Sequence, residues 1–385
     1  MDRPGYQIRD NISLPDSLGP VRVDVTRDDS YRIHVLADVD SAVRTLLAEL
    51  DDRHAVVITD QVVADLHAGR FTSALADRGL LLGVHAMPAG EKSKSLTTAF
   101  ELIDWLAEVD FARRDVVVAL GGGVVVDTAG FVASAYMRGV PYVNVPTTLL
   151  AQVDAGIGGK VAVDHSEAKN LVGAFYQPRA VISCLEHLST LDARQVRSGL
   201  AEVVKKAVIA SPQLFEFIEE RVDELVACAS PAIGVLVHAA GAIKTELVSR
   251  DPYEADLRRS LNFGHTTGHA VETVTGYGPV LHGEAVAFGM AVAVDVARDR
   301  GLVVPGVADR IIGLIRRLGL PVTLRELAGQ PAVDDVLAAM TKIRQIRDGS
   351  LRFVLPVEPG TTIIAEDVTE DEVRRALLRD RTAAP

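Results

Sequence analysis

Two short runs, residues 54–60 and 115–120, hold unbroken apolar stretches at 55–58 and 116–120. A strand with one wet face alternates, whereas a strand apolar throughout is covered on both faces, as in a parallel sheet flanked by helices. Residues 31–36, 81–87 and 142–146 read as further strands, the last closed by Pro146. Residues 62–78 and 94–109 read as helices, the second with Leu96, Phe100, Leu102, Ile103 and Leu106 on its apolar face. This alternation predicts an α/β domain with a mostly parallel sheet over residues 21–185, after a loose N-terminal extension at 1–20. Over 186–385 long helical patterns dominate, at 193–210, 214–227, 231–250, 286–300, 308–318 and 333–345. They predict a second, mainly α-helical domain, with a short hairpin at 351–356 and 361–365.

Charge and composition exclude some classes of function. A net charge of −12 over 385 residues argues against nucleic acid, which needs a clustered basic surface. The chain has no uninterrupted apolar window of membrane-spanning length and no apolar signal stretch at its N-terminus, so no membrane partner is expected. Two cysteines, Cys184 and Cys228, make no disulfide framework, which suits a cytoplasmic protein.

The most chemical stretch is Arg258-Arg259-Ser260-Leu261-Asn262-Phe263-Gly264-His265-Thr266-Thr267-Gly268-His269. Read as one helix, it lines up Arg258, Asn262, His265 and His269 on a single face. A core-facing helix would carry Leu, Val or Ile there. A cation, an amide and two imidazoles suit a metal and an anionic, polyhydroxylated ligand. His282 follows and Glu202 lies upstream, enough for a divalent ion with an open coordination position. His265 and His269 have the spacing of a metalloprotease pair, but Thr266 stands where the catalytic Glu is needed, which excludes a protease.

The first half carries softer signals. Gly121-Gly122-Gly123 follows a buried strand and precedes a helix, where a backbone can approach a pyrophosphate; a structural turn explains it equally well. Asp127 is then a cofactor ligand or a helix-surface residue. Glu91 and Lys94 suit adenosine hydroxyls and phosphates, or a simple turn. Thr147 and Thr148 form a strand-end hydroxyl pair. Asp154, Lys160, Lys169 and Asn170 lie in a glycine-rich loop region that suits an anionic small ligand, although a solvated lysine is the simpler reading of any one.

Together these motifs resemble the dehydroquinate synthase family, the sugar phosphate cyclases, from about Tyr31 to Leu377. The resemblance is carried by Gly90-Glu91 with Lys94, the three glycines with Asp127, Pro146-Thr147-Thr148, Val153-Asp154, Gly158-Gly159-Lys160 and Lys169-Asn170. In the second half it is carried by Gly199-Leu200-Ala201-Glu202-Val203-Val204-Lys205, the Asn262 to His269 stretch and His282-Gly283-Glu284. It implies a Rossmann-like NAD domain, a helical metal domain and an active site between them. By the resemblance, Glu202, His265 and His282 are ligands to zinc or cobalt. Asp60, Glu91, Lys94, Gly121, Gly122, Gly123, Asp127, Thr147, Thr148, Lys169 and Thr190 fall at NAD positions. Lys205, Asp154, His269, Asn262 and Lys160 are implied as catalytic. Asn170, Lys244, Arg258 and Arg344 are implied to bind substrate, and Arg138 is implied to be donated across a homodimer interface.

The implied reaction is transient oxidation by NAD, β-elimination of phosphate, re-reduction and an intramolecular aldol, with no net redox change. The chain departs from the dehydroquinate synthase pattern at Val126, Ala155-Gly156, Val161, Asp164 and Ile343-Arg344-Gln345. These departures point to secondary metabolism, but Arg258, Lys244, Asn262 and His269 suit an acid. The leading expectation is therefore a 7-phosphate heptulosonate as substrate. The alternatives are its amino analogue and sedoheptulose 7-phosphate, and a metal-dependent NAD polyol dehydrogenase is the alternative of another class.

Overall fold

The apolar strands assemble as their patterning requires. In the computed structural model, which describes residues 29–165, 168–229, 231–254, 257–346 and 352–381, the strands are β1 (Arg32–Leu36), β2 (Ala55–Asp60), β3 (Leu81–Met87), β4 (Val116–Gly121), β5 (Tyr142–Pro146), β6 (Lys160–His165), β7 (Ala168–Phe175), β8 (Ala180–Cys184), β9 (Phe353–Glu358) and β10 (Thr361–Ala365). Six of them form a sheet in the order β1-β8-β5-β4-β2-β3, with every pairing parallel. Alternate residues of each strand enter different cores. Val57, Val118 and Val143 pack with Leu46 and Phe71 on one face, while Val56, Val117 and Tyr142 pack with Leu102 and Val132 on the other. Each such buried side chain contributes about 1.5–3 kcal/mol. Residues 1–20 lie outside the described residues.

After β8 the chain is helical. The helices Ala193–Ala210, Ala232–Arg250, His265–Thr275 and His282–Asp299 share one core with the antiparallel hairpin β9–β10. Tyr31–Pro385 forms a single compact unit that contains both the sheet and the helices. Ala232–Arg250 is long and apolar enough by composition to cross a membrane. In the fold it is a core helix, and its Lys244, 6% exposed, reaches into the molecule.

Three sequence expectations change. The stretch around Arg258 is not one helix: Leu257–Asn262 is a 3-10 turn, and the α-helix begins at His265. Gly264 breaks it with φ 80°, and a Cβ there would meet the Val286 carbonyl at 2.5 Å. The helix expected from 286 starts four residues earlier, at His282. The segment expected as a glycine-rich loop is the antiparallel hairpin β6–β7, which places Lys160, Lys169 and Asn170 on strands.

Candidate active site

A cavity of about 750 Å³ opens where the sheet-side loops face the helices. Ligands of open α/β sheets bind at this carboxyl edge. On the sheet side, β4 ends at Gly121, and Gly122 and Gly123 lead straight into the helix Gly123–Ala135. One turn along that helix, Asp127 meets the Lys94 ammonium at 2.5 Å. Burial raises the Asp127 carboxyl above its usual range, with Lys94 opposing. Lys94 also donates to the Asn170 side chain, and Lys169 lies 2.7 Å from Glu91.

The helical side is built on Ala193–Ala210. Glu202 is fully buried, and its Oε1 accepts no hydrogen bond among the described residues. The Nε2 atoms of His265 and His282 each stand 3.7 Å from that oxygen. This is too long for a hydrogen bond, but ligands to one tetrahedral ion at roughly 2.0–2.1 Å lie about 3.3 Å apart. Glu202, His265 and His282 could therefore hold a divalent ion with a position to spare. His265 Nδ1 lies 3.2 Å from the Phe263 carbonyl, which leaves Nε2 as the lone-pair nitrogen. Burial, then the Lys205 cation, hold the His265 imidazole well below its usual pKa. Gly283 lets the two helices meet: its N–H donates to Ser198 Oγ at 3.0 Å, and a Cβ there would lie 1.9 Å from the Ser198 carbonyl.

Asp154 sits on a π-helical turn, Ala151–Ala155, after β5. It accepts from Lys206 at 2.8 Å and Lys244 at 3.0 Å. Burial would raise its pKa, but Lys206, Lys244 and Lys205 hold it well below the usual carboxylate range. Burial pushes the Lys244 amine down to about 7, against the pull of Asp154. Lys205 pairs with Glu202, and Lys160 pairs with Glu254 across the cavity mouth. Arg258 is 1% exposed and donates to the Gly158 carbonyl at 3.2 Å and the Pro252 carbonyl at 3.1 Å. His269 faces His265 with ring centroids 5.1 Å apart.

Most of the expected residues line this cavity, including Glu91, Lys94, Gly123, Asp127, Lys169 and Asn170 on the sheet side. Asp154, Lys160, Lys205, Lys244, Arg258 and Asn262 line it too, with His265, His269 and His282. Five others stand at strand ends beyond its wall. Gly121 and Gly122 form the turn, Asp60 caps the next helix through the Val63 N–H, Thr147 is buried and Thr148 accepts from the Ala151 N–H. Thr190 bonds the His67 ring at 2.9 Å. Arg138 is exposed, off the cavity, with φ 65°. The Arg344 side chain lies outside the described residues.

Three residues enter that the sequence reading did not single out. Lys206 is fully buried beside Lys205 and touches Asp154. Glu254 meets both Lys160 and Asn262. Glu272, 2% exposed, receives His282 Nδ1 and the Lys169 ammonium, each at 3.2 Å. Glu272 had a signal: it lies three residues beyond His269 and continues the same stripe.

Known proteins share this fold. Residues 84–198 match the 3-dehydroquinate synthase N-terminal family model, and residues 199–345 match the 3-dehydroquinate synthase C-terminal model. A 2-epi-valiolone synthase of Actinosynnema mirum is 80% identical over 99% of this chain and 100% of its own. A 3-dehydroquinate synthase of Desulforamulus reducens is 40% identical over 94% of this chain and 99% of its own. The structure of 2-epi-5-epi-valiolone synthase from Streptomyces hygroscopicus subsp. jinggangensis, with NAD+ and Zn2+ bound, superposes with a TM-score of 0.84 at 32% identity, covering 93% of this chain and 98% of that one. The parallel sheet and the helical half are those of the 3-dehydroquinate synthase family of sugar phosphate cyclases, and this chain belongs to it.

Proposed function

We propose that this chain is an NAD- and divalent-metal-dependent cyclase that converts sedoheptulose 7-phosphate to 2-epi-valiolone with loss of phosphate. The observation that carries this reading is the 80% identity, over essentially the whole chain, to a 2-epi-valiolone synthase, against 40% to a 3-dehydroquinate synthase. This reverses the substrate order expected from the retained Arg258 and Lys244. Physically, both side chains are committed inside the protein: Arg258 to two backbone carbonyls, and Lys244 to Asp154. A substrate without a carboxylate makes no further demand on them.

Glu202, His265 and His282 would hold the metal, while Glu91, Lys94, Asp127 and Lys169 would border NAD, with the helix after Gly123 turned to its phosphates. When bound, NAD supplies a reversible hydride acceptor and the metal supplies a Lewis acid for the hydroxyl and ketone oxygens. Lys160, Asn262 and His269 would hold the phosphate as it leaves, with Glu254 giving up Lys160 to it. Asp154 keeps Lys244 and Lys206 oriented, and Lys205, buried beside Glu202, would supply a cation to the reacting oxygens. Exposed Arg138 would serve the site of a second copy in a homodimer.

The test is phosphate release by zinc-loaded protein with NAD, run in parallel on sedoheptulose 7-phosphate and 3-deoxy-arabino-heptulosonate 7-phosphate. Release from the heptulose alone, with no NADH accumulating and 2-epi-valiolone identified by NMR, is the expected result. Release from the acid alone would make this a dehydroquinate synthase. Steady NADH formation from a polyol would make it a dehydrogenase.

A further inference from the structure

His282 belongs to two overlapping groups, one with Glu202 and His265, the other with His269 and Glu272. The geometry separates them. His282 Nε2 stands 3.7 Å from Glu202 Oε1, a spacing for two ligands of one ion, whereas its Nδ1 stands 3.2 Å from Glu272 Oε1, a hydrogen-bond distance. The same Glu272 oxygen is 3.2 Å from the Lys169 ammonium, which disfavours a second cation there. The Glu202 group is thus the ion site and the Glu272 group is its support.

We propose that Glu272 is the positioning residue of the metal centre. It holds His282 through Nδ1–H, so that Nε2 carries the lone pair toward Glu202. Through Lys169 and Glu91 it also ties that imidazole to the cofactor side of the cavity. The inference rests on the metal reading above and deepens it. His265 solves the same problem with a backbone acceptor, Phe263, which no side-chain substitution removes. His282 depends on a side chain, so its arm is the adjustable one. Glu272 is well placed to serve it, being 2% exposed and two turns along the helix that starts with His265. One helix therefore presents both a ligand and the support of the other. The Lys169 ammonium that completes the link also sits 5.7 Å from the centre of the Tyr277 ring. Carboxylates that orient ligating histidines typically change metal affinity about 10- to 100-fold when removed.

The test is zinc affinity of metal-stripped protein, by chelator competition, together with the visible spectrum of the cobalt-loaded form. Glu272→Gln keeps an acceptor for His282 and loses the charge; Glu272→Met loses both. About 10-fold weaker zinc binding in the first and about 100-fold in the second is expected, with a shifted cobalt spectrum and an apo circular-dichroism spectrum like that of the parent. If Glu272→Met does not fold, Glu272→Gln decides alone. Parental affinity and an unchanged cobalt spectrum would overturn the inference. So would loss of zinc in Glu272→Gln as complete as in Glu202→Ala, because Glu272 would then be a ligand. If Glu202→Ala itself kept its zinc, the metal reading would fall and this inference with it.

Discussion

Among the described residues two carboxylates are completely buried, Glu202 and Asp295, both on core helices and both ringed by cations. Asp295 is closed. Its Oδ1 takes Arg379 at 3.1 Å and its Oδ2 takes Arg381 at 2.7 Å, while Arg381 also donates to the Val322 and Ala376 carbonyls. Glu202 is open: Lys205 and Lys206 approach one oxygen, and the other faces two imidazoles that do not reach it. Burying a charge is costly unless it is paired and hydrogen-bonded. The closed cluster therefore reads as a staple that fixes the C-terminal segment, and the open one as a site waiting for a partner. Burial and charge are common to both; what distinguishes them is whether the oxygens are used.

The largest expected effect falls on the open cluster. Glu202→Ala should lose its zinc, measured by elemental analysis. Phosphate release should drop at least about a thousandfold, because a Lewis acid supplies several kcal/mol. On the closed cluster, Arg381→Met should cost about 3 kcal/mol in urea denaturation by leaving Asp295 Oδ2 buried without a partner while Arg379 keeps Oδ1, with activity per folded molecule unchanged. A loss of turnover without a loss of stability there would break the comparison.

His187 asks whether a buried polar group alone marks a site. It is 1% exposed, packed against His67 and Phe71, and burial followed by His67 pushes its pKa down to about 4. Between that value and its usual 6.5 the unfolded chain binds the proton that the native state refuses, so stability falls as pH drops through this window. The loss is roughly 3 kcal/mol at about 1.4 kcal/mol per unit. His187→Phe should flatten the acid side of the stability curve by that amount and leave zinc binding alone; loss of zinc would extend the metal site to it. The smallest effect is expected from Asp154→Asn, which leaves Lys244 without its anion and Lys206 with Glu202 alone. A fall in kcat of about 10- to 100-fold, the worth of a hydrogen bond to a charged group, is expected with zinc content intact.

Much of this was legible in the chain. Residues 54–60 and 115–120 announced a sheet covered on both faces because each strand feeds two cores. Most polar residues of the cavity stood in recognisable motifs. Residues 180–184, apolar at four of five positions, carry a similar signal that the sequence reading does not single out; pairing with β1 and β5 makes them a strand. Lys206 looked like an ordinary helix lysine, since nothing local says that Asp154, fifty-two residues earlier, will sit 2.8 Å away. The Arg258 stretch looked like one helix because the steps of three and four persist across Gly264, whose φ of 80° depends on the helix packed beside it.

The sequence alone determined the fold class, the family, and most of the residue types that chemistry would draw on, because periodicity and motif spacing are local properties. The tertiary structure decided which charges are spent and which are available. Arg258 and Lys244 carry the same side chains whether they bind a substrate carboxylate or brace the protein. Only their burial against Gly158, Pro252 and Asp154 shows where their hydrogen bonds go. That depends on distances between segments up to a hundred residues apart, which the order of residues does not contain.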